Sequence, residues 1–271
     1  MNKRQRRKTP EPRVWAGQPP FPRRAGVRMA IGLAALAPAA VLGAFPANLE
    51  LSTLTGTDGF KLSGVAAFDF SGISVSAAGD VNGDGVDDVI IGADRADPNG
   101  SDSGASYVVF GKNTATAGAF PANLELSTLD GTKGFKLSGV AASDQSGFSV
   151  SAAGDVNGDG VADLLIGAWR ADPNGSDSGA SYVVFGKDTA TAGAFPANLA
   201  LSTLDGTNGS KLSGVAAGDN SGVSVSEAGD INGDGMDDVI IGALLADPNG
   251  ISDSGASYVV FIGRIFKLIE K

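Results

Sequence analysis

The chain has 271 residues, with 20 Lys or Arg, 30 Asp or Glu, a formal net charge of −10, and neither Cys nor His. That length holds one large domain or two small ones, and 42% apolar with 18% charged residues is the composition of a folded protein. The missing residue types exclude a disulfide framework, a zinc finger, a thiol nucleophile and a Ser-His-Asp triad. They leave oxygen as the metal ligand, which favours calcium or magnesium.

Residues 1–28 carry nine cations against the single anion Glu11, so the remainder holds 11 cations and 29 anions, net −18. A body that acidic repels phosphate, so nucleic acid is not an expected partner. Residues 29–44, MAIGLAALAPAAVLGA, form a charge-free run of 16 directly after the basic stretch. A membrane span needs about 20 apolar residues. A basic region, a short apolar region and small residues near its end make a secretory signal instead. Arg23-Arg24 hints at twin-arginine export. Segment 1–44 is therefore expected to be a tail plus leader, cleaved near Ala39 or Ala44. The mature chain would be secreted or on the cell surface, with no transmembrane anchor.

Repeats follow. FPANLELSTL begins at Phe45 and Phe120, and FPANLALSTL at Phe195, a step of 75 residues. Segment 45–119 differs from 120–194 at only ten positions, and the third copy (195–263) keeps the frame up to one inserted residue, Ile251. Within a unit, FPANLELSTL allows at most one helical turn. GFKLSG (Gly59–Gly64, Gly134–Gly139; GSKLSG at Gly209–Gly214) reads as one strand. SVS around Val75, Val150 and Val225 alternates as a half-buried strand does. The runs Val89–Ala93, Leu164–Ala168 and Val239–Ala243 suit strands buried on both faces. After the turn cluster ADPNG comes ASYVVF (Ala105–Phe110, Ala180–Phe185, Ala256–Phe261). Tyr107, Tyr182 and Tyr258 are expected to pack. Four strands per unit, repeated, is the pattern of an all-β protein with propeller-type blades of four antiparallel strands.

Each unit carries a dense acidic loop after SVS. The loops run Asp80–Asp88, Asp155–Asp163 and Asp230–Asp238. Side-chain oxygens stand at loop positions 1, 3, 5 and 9: Asp80, Asn82, Asp84, Asp88; Asp155, Asn157, Asp159, Asp163; Asp230, Asn232, Asp234, Asp238. The carbonyl of position 7 (Val86, Val161, Met236) adds a fifth oxygen. Such a wrap suits Ca²⁺, which takes six to eight oxygens, and glycine at positions 4 and 6 allows the positive φ that it requires. Three carboxylates in nine residues repel one another without a counterion, which weighs against a plain Asx/Gly turn. Position 8 (Asp87, Ala162, Asp237) varies and is assigned to the outside of the loop. EF-hand and dockerin loops begin alike, but they continue into a helix, whereas position 12 here is Ile91, Ile166 or Ile241 inside a strand run. Three Ca²⁺ sites are expected.

These stretches, SGISVSAAGDVNGDGVDDVIIGA and its two counterparts, resemble the FG-GAP repeat of integrin α-subunit propellers and bacterial surface proteins. The match covers nearly all of 45–263. The "FG" start is Ser-Gly here, and the "GAP" end is Gly92-Ala93-Asp94, Gly167-Ala168-Trp169 and Gly242-Ala243-Leu244. The resemblance implies a calcium-dependent propeller for adhesion or protein binding, with a protein or surface ligand and no catalysis. The competing readings are a propeller-based hydrolase or lyase, and a truncated, non-functional fragment of a larger protein. Phe68, Phe70 and Trp169 stand as candidate aromatic contacts.

Residues 59–64 offer a fourth strand before any first strand, and the third copy stops after its third. Three blades cannot close a ring at 120° and keep sheet packing of about 10 Å. The expectation is an open or incomplete propeller, with a homo-oligomer that completes it. The segment 264–271 leaves the repeat pattern abruptly, as a truncated reading frame would.

Overall fold

A computed structural model describes residues 46–263. The expected leader and cleavage sites within 1–44 and the non-repeat tail 264–271 lie outside the described residues. The chain divides into two units, Met1–Asn48 and Leu49–Lys271, and all the blades lie in the second.

The first repeat supplies β1 (Lys61–Ser63), β2 (Val75–Gly79), β3 (Asp88–Ala93) and β4 (Ala105–Val109). The second supplies β5 (Asn123–Glu125), β6 (Gly134–Ser138), β7 (Ser146–Gly154), β8 (Asp163–Ala168) and β9 (Ala180–Val184). The third supplies β10 (Asn198–Ala200), β11 (Gly209–Ser213), β12 (Ser221–Gly229), β13 (Asp238–Ala243) and β14 (Ala256–Val260). Every strand expected from the sequence is present.

The blades straddle the repeats. Blade 1 is β2-β3-β4-β6, blade 2 is β7-β8-β9-β11, and blade 3 is β12-β13-β14. All strand pairs within a blade are antiparallel. The second and third of these segments, in β6 and β11, thus serve as the outer strands of the blades before them.

The apolar runs owe their continuity to this stacking. β8 is buried at every residue. Successive side chains point to opposite faces, so Leu164 and Ile166 join Ile90 and Val108 of blade 1, while Leu165 joins Val239 and Ile241 of blade 3. β7 lies against β2 and β3, and β12 against β7 and β8.

The FPAN segments lace successive repeats together. β5 pairs parallel with β1, and β10 pairs parallel with β6. Each then enters the expected single helical turn, Leu126–Thr128 or Leu201–Thr203. The short parallel strand before that turn is a finding the sequence pattern did not foretell. So are two four-residue helices, α1 (Thr114–Ala117) and α2 (Thr189–Ala192), capped by the side chains of Asn113 and Asp188.

β2 is shorter than β7 and β12. Ser146 and Ser221 begin their strands by bridging to Gly104 and Gly179 of the preceding blade. Among the described residues Ser71 has no preceding blade to bridge to, so β2 starts at Val75. At the other end β14 bonds only β13, and β1 bonds only β5. The fold is an open, incomplete propeller of three blades.

Candidate metal centre

The three acidic loops sit in the β2–β3, β7–β8 and β12–β13 hairpins, each starting directly after one strand and ending on the first residue of the next. In the first loop Asp80 accepts from the backbone N–H groups of Asp84 (3.0 Å) and Gly85 (2.7 Å). Asn82 Oδ1 accepts from Asp84 N–H at 2.8 Å, and Asp84 accepts from Val86 N–H at 2.9 Å. The second loop repeats this pattern around Asp155, Asn157 and Asp159. Gly83 and Gly85 hold φ of +73° and +85°, the left-handed region that glycine enters without a Cβ penalty.

The ninth position is different. Asp88, Asp163 and Asp238 are buried. Asp88 accepts from Val81 and Gly111 N–H at 2.9 and 2.8 Å, and Asp163 from Val156 and Gly186 at 3.0 and 2.9 Å. Burial pushes both carboxyls up to about 7, the nearby Asp84 and Asp80, or Asp159 and Asp155, adding a smaller push. A carboxylate in that setting is stabilised by a cation beside it.

The third loop departs from the other two. Asn232 turns its amide onto both oxygens of Asp238, at 3.1 and 3.0 Å. Asn232 Oδ1 and Asp234 Oδ2 are left buried without a hydrogen-bond partner. Buried acceptors without a donor cost about 1–3 kcal/mol each, and a hard cation satisfies them. The oxygen chemistry of the donor set therefore fits calcium. Among the described residues, no three acidic side chains converge as a ready cage. The loop oxygens face their own backbone N–H groups instead.

Position 8 has a job that its variability hid. Ala162 N–H donates to the Asp80 carbonyl at 3.1 Å, and Asp237 N–H to the Asp155 carbonyl at 3.1 Å. The Asp237 carboxylate also accepts from Asp155 N–H at 2.9 Å. Loop therefore joins loop across blades, and the backbone of position 8 makes the join whatever its side chain. Thr189, at the start of α2, adds a further tie by donating N–H and hydroxyl to the Asn82 carbonyl at 2.9 and 3.1 Å.

The aromatic candidates separate. Phe68 and Phe70 are exposed, while Trp169 packs on Phe148 with ring centroids 5.5 Å apart. Tyr107 and Tyr182 are buried packing residues, and Tyr258, on the outer side of blade 3, is half-buried.

The FG-GAP repeat family model matches residues 71–109, 146–184 and 222–260, each span beginning within a few residues of the start of a blade's first strand and ending with its third. The chain carries three FG-GAP repeats. Each FG-GAP match encloses one acidic loop. The chain is also similar to integrin alpha pat-2 of Caenorhabditis briggsae and of Caenorhabditis elegans, 35% identical to each over 100 residues. That is 37% of this chain and 7% of either relative. The chain thus spans a small part of those relatives' length. Among its described residues no helix is long and apolar enough to cross a membrane.

Proposed function

We propose that the chain is a calcium-stabilised binding module for extracellular adhesion or protein–protein contact, rather than an enzyme. Each Ca²⁺ would be held by Asp80, Asn82, Asp84, the Val86 carbonyl and Asp88, and by the equivalent oxygens of the other two loops. The ion would supply charge neutralisation and cross-linking of the hairpin. The observation that carries the reading is the pair of buried, partnerless oxygens on Asn232 and Asp234, in a donor spacing that recurs three times. Likeness to integrin alpha over one stretch supports a protein ligand at a cell surface or outside the cell. Near-identical repeats support a binding role, since catalysis needs one asymmetric site. Self-association through the open blades belongs to the same reading.

Calorimetry should count three Ca²⁺ per chain, and Asp84→Ala, Asp159→Ala or Asp234→Ala should each remove one. A ligand that binds only the folded state stabilises it by about 2.7 kcal/mol per site at a hundredfold excess over Kd. The melting temperature should therefore rise with calcium and fall in EDTA. Three ions still bound to Asp84→Ala, or a melt indifferent to EDTA, would refute the assignment.

A further inference from the structure

Among the described residues blade 3 has no outer strand, and β1 is an outer strand without a blade. In blades 1 and 2 that place is filled antiparallel, with Ser138 opposite Ala105 and Ser213 opposite Ala180. The outer strand of blade 1 has a second support, because β10 runs parallel to it with Asn198 opposite Lys136. β1 already has that second support in the same register, with Asn123 of β5 opposite Lys61. Its antiparallel edge and the outer edge of β14 carry no strand among the described residues.

The faces beside these edges match in the same way. Val75 is 68% exposed, whereas its equivalents Val150 and Val225 are 5% and 8% exposed under the preceding blade. Val259 is 43% exposed, whereas Val108 and Val183 are 0% and 1% exposed under the following blade. In blades 1 and 2, Ser146-Gly147 and Ser221-Gly222 press so closely on Gly92 and Gly167 that a Cβ there would collide with the Gly147 or Gly222 carbonyl. On blade 3 the same place is an open groove of about 480 Å³ lined by residues that include Ser224, Gly242 and Gly255. The counterpart segment, Ser71-Gly72, has nothing within 4 Å of a Cβ built on Gly72.

We propose that two copies of the chain exchange their unpaired ends. β1 of each becomes the outer strand of blade 3 of the other, and Ser71-Gly72 of each fills the other's groove. The occupant is a second copy because the chain already contains this blade-to-blade contact twice, residue for residue. Tyr258 would stand opposite Lys61, as Tyr107 stands opposite Lys136 and Tyr182 opposite Lys211. Two arcs give six blades, within the roughly four to eight of known propellers, and a third arc would exceed that range. Phe68 and Phe70 replace Ser143 and Gln145 on the exchanged flank, and aromatic residues are enriched where separate chains meet. The inference deepens the self-association part of the proposed function and does not rest on the cation.

Sedimentation of the full chain tests it. The wild type should run as two chains, and Val75→Asp and Val259→Asp should each run as one. Their equimolar mixture should return to two chains, because one matched pair of faces survives. Register is read separately: Ser63→Cys mixed with Ala256→Cys should give a disulfide-linked dimer on oxidation, in a chain with no other cysteine. A wild type that runs as one chain, or as a ladder beyond two, overturns the proposal. So does a mixture of cooperatively melting variants that stays single, or a cysteine pair that does not link. Calcium calorimetry on whichever species forms still reads the cation sites, so the two readings fail separately.

Discussion

Phe135 shows what one side chain does for the stack. It is fully buried and lies flat on Phe195, with centroids 4.3 Å apart and rings 5° from parallel. Phe60 stacks on Phe120 at the same 4.3 Å. In each pair the Phe of one GFKLSG segment meets the Phe that opens the FPAN segment of the next repeat, so the lacing is fastened by aromatic contact as well as by backbone pairing. Ser210 stands in the equivalent position of β11, and the sequence spends no aromatic there. Truncating a buried Phe costs about 3–5 kcal/mol through lost transfer energy and the cavity left behind. Phe135→Ala should fall in that range by urea unfolding, and Phe60→Ala should cost less because Phe60 is only half-buried. Equal losses would show that the β1 end is as tightly packed as the centre.

Between elements, the controlling distance is the closeness of neighbouring blades at their first two strands. Gly92 on β3 and Gly167 on β8 leave no room for a methyl group, whereas the nearest atom to a Cβ on Gly242 of β13 lies 3.5 Å away. Overpacking against backbone costs typically 1–3 kcal/mol and sometimes more. Gly92→Ala and Gly167→Ala should each lower the melting temperature clearly, while Gly242→Ala should leave the single chain's melt unchanged; similar shifts for all three would contradict the stacking. Much of this was legible in the sequence. Unbroken runs such as Leu164–Ala168 announced strands covered on both faces, and the Asp-x-Asn-x-Asp-Gly spacing placed each loop in its hairpin. What stayed hidden was short or distant. Asn123–Glu125 is three residues long, too brief for a period to register. The bond from Thr189 to Asn82 spans 107 residues, so no local pattern encodes it. The loop oxygens also accept from the backbone N–H groups of their own tight turn, a local pairing that donor spacing along the chain does not display.

At the scale of the whole molecule, an array in which each blade touches only its neighbours has stability that varies along its length. Blade 2 is sandwiched, and β8 is buried at every residue. β14 is half-buried or exposed throughout, and β1 is three residues long with a single parallel partner. Local opening draws on segments with few buried contacts and solvent-exposed backbone bonds. In dilute, single-chain samples the amides of β1 and β14 should exchange fastest among the strands, and those of β8 slowest. If the ends are completed by a second copy, raising the protein concentration should slow exchange in β1 and β14 together, because each is the other's missing partner, while β8 stays as it was. Protection gained at one end alone would point to a different occupant of that edge. Protection of β14 equal to β8 in the single-chain sample would mean that the arc is not open there.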